Sequence, residues 1–151
     1  MIKILCVGKI KERFFRDAIE EYLKRLQKYT KIEIIECKDY SDLPINDILE
    51  KEKIELEKYI NIKDYIVTLE IEGEQLSSLD FSKKMESIIM NNSNVTFIIG
   101  GSYGIHNSIK ERSNYKLSFS KMTFPHQLFR IILLEQIYRC FKISNNESYH
   151  K

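Results

Sequence analysis

The amino-acid sequence predicts an α/β fold in which a mainly parallel β-sheet is flanked by helices. Short apolar segments typical of strands alternate along the chain with longer amphipathic segments typical of helices, which is the pattern of a layered α/β fold. The chain has 151 residues, 43% of them hydrophobic, and neither an internal repeat nor a long linker divides it. We therefore expect a single domain over residues 1–151. With a net charge of only +2, the composition is not that of a disordered protein.

Five segments predict strands because they are short, apolar and bounded by turn residues. In order they are Ile2–Val7, Ile32–Cys37, Tyr65–Ile71, Val95–Ile99 and Tyr115–Phe119. Glu72-Gly73-Glu74 predicts a turn that closes the third strand. Gly100-Gly101-Ser102-Tyr103-Gly104 predicts a turn after the fourth.

The segments between these strands predict helices, because their apolar residues recur at a spacing of three or four. The predicted helices are Lys11–Tyr29, residues 46–60, a helix from the N-cap Ser78 to Met90, the short Ser108–Arg112, and Pro125–Phe141. In residues 46–60 the many charges predict a solvated face.

Ligands of parallel α/β sheets bind beyond the carboxyl ends of the strands. The loops that follow Leu69, Ile99 and Phe119 are therefore the candidate binding loops. In the last of these, LSFSKMTFPHQ mixes polar with apolar side chains and suits an adenosine, although an ordinary strand–helix connection has the same pattern.

The glycine-rich turn after Ile99 matches neither the dinucleotide fingerprint nor the phosphate-binding P-loop. It does match G-x-S-x-G, and Glu111 and His126 follow Ser102 in the order of a hydrolase triad. A small serine hydrolase is therefore one alternative. The other interpretation is that the glycines allow close approach of a ligand, so that a side chain at Gly100 would fill the space the ligand needs.

The last predicted helix is apolar around nearly its whole circumference, so it must be covered on more than one side, and we expect a homodimer. Its polar residues form two stripes. Glu135 and Arg139 have the spacing of an intrahelical ion pair, but Arg139 and Arg130 are also candidates for contact with a phosphate or a carbonyl group.

Charge is distributed unevenly along the chain. Residues 101–151 carry 8 basic and 3 acidic side chains and all three histidines, which favours an anionic partner. The polar tail ends in Tyr149, His150 and Lys151, which can stack on a base and contact phosphate, but a frayed terminus has the same composition. A non-catalytic RNA-binding module is thus a second alternative.

Cysteine and histidine spacing predicts neither a disulfide framework nor a metal site. Cys6, Cys37 and Cys140 are far apart and each lies among apolar residues, so we expect reduced, buried thiols. The longest apolar run is too short for a membrane span, and the first residues do not read as a signal peptide. We expect a cytoplasmic protein without membrane contact or bound metal.

Several segments together resemble the RlmH family of SPOUT-class methyltransferases. The resemblance is carried in order by ILCVGKIKE, VTLEIEG, FIIGGSYG, LSFSKMTFPHQLFRIILLEQIYRCFKI and the terminal SYHK, and it spans the whole chain. It implies an enzyme that uses S-adenosylmethionine (SAM) to methylate N3 of a pseudouridine in 23S ribosomal RNA. It further implies a C-terminal trefoil knot and a homodimer. Because a net charge of +2 gives only weak nonspecific attraction to phosphate, we expect the substrate to be the assembled ribosomal particle and not free RNA.

The resemblance also implies roles for particular residues. Those that match the cofactor-binding positions of the family are Leu69, Gly100, Phe119, Ser120, Lys121, Met122, Thr123 and Phe124. The candidates for catalysis or contact with the target nucleotide are His126, Arg139, Tyr149 and His150. Ser148 departs from the family, in which proline often precedes the Tyr-His pair.

Overall fold

The computed structural model describes residues 1–151 as five strands that alternate with five helices. The elements are β1 (Ile2–Val7), α1 (Arg13–Leu26), β2 (Ile32–Cys37), α2 (Ile45–Glu57), β3 (Tyr65–Gln75), α3 (Ser78–Asn91), β4 (Val95–Ile99), α4 (Asn107–Arg112), β5 (Tyr115–Ser118) and α5 (His126–Ser144). The predicted α/β class is confirmed, and β1, β2 and β4 have the predicted bounds.

The five strands form one sheet in the order β2-β1-β4-β3-β5. Every pair of neighbouring strands is parallel, so the carboxyl ends of all five strands lie along one edge. The sheet is thus more regular than the mainly parallel sheet predicted. The C-terminal knot stays a prediction.

The predicted turn at Glu72-Gly73-Glu74 is wrong, because β3 continues through it to Gln75. The strand is irregular here: its pairing with β5 shifts between Leu69 and Glu74. A Cβ on Gly73 would lie 2.8 Å from backbone atoms of Lys116 and Leu117. Glycine is therefore needed for close approach of β5 at a bulge, not for a turn.

Helix ends differ from the predicted ones by up to three residues. The hydroxyl of Ser77, not that of Ser78, caps α3 by accepting a 3.1 Å hydrogen bond from the N–H of Asp80. Ser78 instead donates to Oε1 of Gln136 at 2.7 Å and so joins α3 to α5. Pro125 precedes the first residue of α5, and that helix continues to Ser144.

The core lies on both faces of the sheet. On one face Ile2, Ile4 and Cys6 of β1 pack with buried residues of α1, α3 and α5. On the other face Leu5 and Val7 pack with buried residues of α2 and α4. A strand directs successive side chains to opposite faces, and β1 supplies both layers because it lies between β2 and β4 and is buried throughout.

The three cysteines are buried, as predicted. Burial raises the pKa of Cys6 to about 12, that of Cys37 to about 11 and that of Cys140 to about 12, so none is a reactive thiolate at neutral pH. None of the helices combines the length and the apolar character that a membrane crossing requires.

Candidate active site

A cavity of about 500 Å³ opens at the carboxyl edge of the sheet, where the three candidate loops meet. Seven of the eight predicted cofactor positions line it: Leu69, Gly100, Phe119, Ser120, Met122, Thr123 and Phe124. Lys121, the eighth, is exposed and does not line the cavity. Among the lining residues that the sequence did not suggest are Glu70, Ile71 and Phe129.

Apolar rings form one wall of this cavity. Phe119 and Phe124 each pack against Phe129 of α5, with ring centroids 5.0 Å and 5.8 Å apart. The lining also includes Ser102 and Thr123, whose side chains carry hydroxyl groups. Flat apolar surfaces together with a few hydroxyl and backbone groups fit an adenosine with a short polar extension.

The glycine turn is folded back on itself. The N–H of Gly104 donates to the carbonyl oxygen of Gly101 at 3.1 Å, and Gly104 has a φ of +85°. A Cβ on Gly100 would lie 2.6 Å from the carbonyl carbon of Gly104 and 2.9 Å from Cγ1 of Ile105. A side chain at Gly100 would therefore collide first with its own loop, and the expectation that it would also enter ligand space stays a prediction.

The structure does not assemble the triad of a serine hydrolase. Ser102 and His126 both line the cavity, but Nδ1 of His126 is buried without a hydrogen-bond partner. Glu111, on α4, therefore does not orient the imidazole. A triad needs that third group to hold the base in the right tautomer.

His126 begins α5 and faces Gly8 and Asp39 across the edge of the sheet. Burial lowers its pKa, the nearby Arg130 lowers it further, and Asp39 opposes both effects. The imidazole is therefore neutral at neutral pH and can accept a proton.

Arg130 is only 1% exposed and does not face the cavity. Its guanidinium donates to the carbonyl oxygens of Gly8 at 2.7 Å and Val7 at 3.3 Å, and to Oε2 of Glu36 at 2.8 Å. It therefore ties α5 to the end of β1, and the suggestion that it contacts an RNA phosphate is wrong. Buried backbone carbonyls need such donors.

The other predicted catalytic residues form a second cluster, away from the cavity. Glu135 and Arg139 make the intrahelical ion pair, with 2.8 Å between Oε1 and Nη2. Tyr149 donates to Oε1 of Glu135 at 2.9 Å, and Nη1 of Arg139 lies 3.0 Å from Nδ1 of His150. At 1.5 Å per residue, Arg139 lies about 20 Å along α5 from His126. One chain thus brings His126 to the cavity but not Arg139, Tyr149 or His150.

The tail that carries these residues is folded, not frayed. Glu147 accepts hydrogen bonds from Lys28 at 3.2 Å, Tyr29 at 2.8 Å and Lys142 at 2.8 Å. These bonds, that of Lys142 foremost, lower the pKa of Glu147 to about 2. Two residues later, the ring of Tyr149 packs edge-on against that of Tyr138, with centroids 5.0 Å apart.

No group of three or more His, Cys, Asp or Glu side chains has the arrangement of a metal site.

Comparison with known proteins adds independent information. A family model described as "Predicted SPOUT methyltransferase" matches residues 1–150. A Clostridium acetobutylicum protein named "Ribosomal RNA large subunit methyltransferase H" is 48% identical over 99% of both chains. Proteins of Methanococcus maripaludis and Methanococcus vannielii, each named "Putative ribosomal RNA large subunit methyltransferase H", are both 50% identical over 99% of both chains.

Proposed function

Because this chain belongs to the SPOUT methyltransferase family, we propose that it transfers a methyl group from SAM to N3 of a pseudouridine in 23S ribosomal RNA. The observation that carries the proposal is the cavity at the carboxyl edge, where seven cofactor positions predicted by resemblance converge. The names of relatives that match at about half identity over full length support the ribosomal substrate.

The cavity residues fit SAM in size and chemistry. The apolar wall of Leu69, Phe119 and Phe124 would hold the faces of the adenine, and backbone groups of residues 119–124 would bond its edge. The hydroxyl groups of Ser102 and Thr123 would meet the polar methionine end. When bound, SAM supplies a methyl group on a positively charged sulfur, and its transfer to nitrogen leaves a neutral thioether.

His126 is the residue placed to handle the proton of the acceptor. N3 of pseudouridine carries a hydrogen that must leave as the new N–C bond forms. The neutral imidazole, at the rim of the cavity, would accept it, and such general-base help typically contributes about 10²–10⁴-fold. The fixed walls would contribute by aligning the nitrogen with the methyl group.

A homodimer would unite the two separated clusters. Leu128, Ile131 and Ile132 form a half-exposed apolar stripe on α5 that continues to Glu135. In the proposed dimer this stripe packs against the partner, and Arg139, Tyr149 and His150 serve the cavity of the other subunit. The 20 Å of helix between the clusters supports this arrangement over one in which a single chain completes its own site.

We further propose that the substrate is the assembled ribosomal particle in the cytoplasm, not free RNA. A net charge of +2 neutralises few phosphates, so the nonspecific attraction to RNA is weak. The particle would then supply the remaining contacts through its shape.

Calorimetry combined with methyl transfer tests this function. We expect SAM and its demethylated product to bind in the presence of a chelator, and tritium from labelled SAM to appear in large subunits that lack the modification. A protein that binds RNA but no SAM would be a binding module, and labelling of Ser102 by a fluorophosphonate would indicate a hydrolase.

A further inference from the structure

A second cavity, of about 610 Å³, adjoins the first. It lies between residues 39–44, α2 and the glycine turn, and it shares Gly101, Ser102 and His126 with the first cavity. A group held in one cavity would therefore meet a group held in the other at these shared residues.

Glu52 is a buried carboxylate at this second cavity with one unused oxygen. The side chain is on the face of α2 that also buries Ile48 and Leu56, and Glu52 is only 4% exposed. Its Oε2 accepts a 3.1 Å hydrogen bond from the N–H of Tyr40. Its Oε1 is buried with no partner. A buried oxygen without a donor is costly, so it points to a ligand that brings one.

Gly101 lies against this oxygen and presents no side chain to it. A Cβ on Gly101 would lie 3.1 Å from Oε1 of Glu52, so any larger residue would crowd the carboxylate. Asp39 and Asp42 add two more carboxylates to the lining, and neither lysine nor arginine is present in it. Such walls repel a phosphate and favour an N–H donor.

Pseudouridine offers such a donor where uridine does not. Its sugar is attached through C5, so N1 carries a hydrogen in addition to the one on N3, and the two N–H groups flank the C2 carbonyl. When uridine is laid over it with N3 in common, a C–H takes the place of N1–H. The two bases therefore have the same shape and differ in one hydrogen-bond donor.

Resting on the proposed function, we propose that Oε1 of Glu52 accepts the N1–H of the target pseudouridine and selects that base over uridine. The base occupies the second cavity with its N3 edge toward His126 and the first cavity. The bond gives the buried oxygen its missing partner, whereas uridine would leave it unsatisfied.

The test is a cycle of two proteins and two substrates. Large subunits carrying either pseudouridine or uridine at the target are methylated by the wild type and by Glu52→Gln at saturating SAM. In glutamine, the amide oxygen can still accept the hydrogen bond from the N–H of Tyr40. The amide NH₂ then takes the place of Oε1, and because it is a donor it cannot accept the N1–H of pseudouridine. We expect the substitution to slow transfer to pseudouridine by about 5- to 150-fold and to leave transfer to uridine no slower.

Glu55→Gln is the matched control, because Glu55 is one turn further along α2, bonds Tyr40 Oη and Lys58, and does not line the cavity. It should keep the preference of the wild type. The wild type is also assayed on subunits that carry N1-methylpseudouridine at the target. This arm does not depend on the folding of a variant, and the rate of methyl transfer should fall to that seen with uridine.

The opposite results are distinct. Three results would each overturn the role of Glu52 but not the proposed function. They are an equal loss of rate on both substrates, full activity of the wild type on N1-methylpseudouridine, and weaker SAM binding by Glu52→Gln. The last of these would place the SAM ammonium at Glu52. Absence of transfer by the wild type to any of these particles overturns the proposed function and this assignment together.

Discussion

The phenol of Tyr149 donates a 2.9 Å hydrogen bond to Oε1 of Glu135, and the guanidinium of Arg139 lies 4.7 Å above the Tyr149 ring. The C-terminal tail is thereby docked against the middle of α5, although its polar composition was equally typical of a frayed end. Since His126 begins the same helix about 20 Å away, the tail of one chain lies far from its own cavity, which supports the proposal that it serves the cavity of the partner.

Removal of Tyr149–Lys151 should therefore nearly eliminate methyl transfer and leave SAM affinity intact. Stacking on a base contributes roughly 1–3 kcal/mol, so the loss of that contact alone would slow turnover by about 5- to 150-fold. The measurement is tritium transfer to ribosomes beside calorimetry with SAM. Removal of the exposed Lys151 alone is the control and should have a smaller effect. Wild-type turnover without the tail would show that it has no part in the reaction.

A mixing experiment tests whether the tail acts on the partner. The tail-deleted chain and the Gly100→Val chain are each expected to be inactive. In a mixed dimer, the intact cavity of the first would face the intact tail of the second, so about half of the dimers formed by random exchange should regain one working site. If mixing restores nothing although light scattering shows dimers, the tail acts within its own chain.

The strands were predicted best, because a buried apolar run bounded by turn residues is a local signal, and Ile2–Val7 and Val95–Ile99 have the predicted bounds. The order of the strands in the sheet depends on contacts between residues far apart in the chain, so the sequence pattern did not predict it. Glu52 was missed because charges surround it, although its spacing of four from Ile48 and Leu56 places it on the buried face of α2. Arg130 was misassigned because periodicity does not show that Gly8 and Val7 need a donor there.

Gly100→Val should lower the affinity for SAM by at least ~100-fold. The added side chain would collide with the backbone of Gly104 and force the glycine turn out of place. Ser102→Ala is the control for the shape of the turn, since it removes only one hydroxyl, and it should weaken SAM binding far less than Gly100→Val does. Unchanged affinity in Gly100→Val would remove the turn from the cofactor site, and loss of all activity in Ser102→Ala would revive a direct role for that hydroxyl.

The rate of methyl transfer should fall in acid through the titration of His126. Burial and Arg130 lower its pKa below the ordinary value of about 6.5, so the imidazole is a competent base at neutral pH and is protonated only below that range. Because the unfolded chain binds this proton more readily, the group also stabilises the fold above pH ~6.5, and that contribution is lost as the pH falls through the lower folded pKa.

In His126→Asn, the decrease of the methyl-transfer rate at acid pH should disappear, and most of the rate at neutral pH should be lost. His106, whose imidazole caps α4 and contacts Glu50 at 3.0 Å, provides the control. His106→Asn should keep both the acid-pH decrease and the methyl-transfer rate of the wild type. A His126→Asn enzyme with an unchanged pH profile would assign the proton to another group.

Arg130→Met should lower the free energy of unfolding by about 1–3 kcal/mol, measured by urea denaturation. The substitution keeps the bulk of the side chain but leaves the carbonyl oxygens of Val7 and Gly8 without their donor. Arg25→Met, which removes the exposed pair with Glu21 and the contacts of the guanidinium with the Tyr22 and Tyr138 rings, should cost about 1 kcal/mol or less. Equal small losses in both variants would mean that Arg130 does not tie α5 to β1.

Identification of the methylated nucleoside tests the proposed methyl transfer at its product. Ribosomes that lack the modification, and the naked 23S RNA from them, are incubated with this protein and labelled SAM in the presence of a chelator, and the nucleosides are separated by mass. We expect close to one methyl group per large subunit, on N3 of a pseudouridine, and far slower transfer to naked RNA. Methylation of a different atom, or equal transfer to naked RNA, would contradict this expectation.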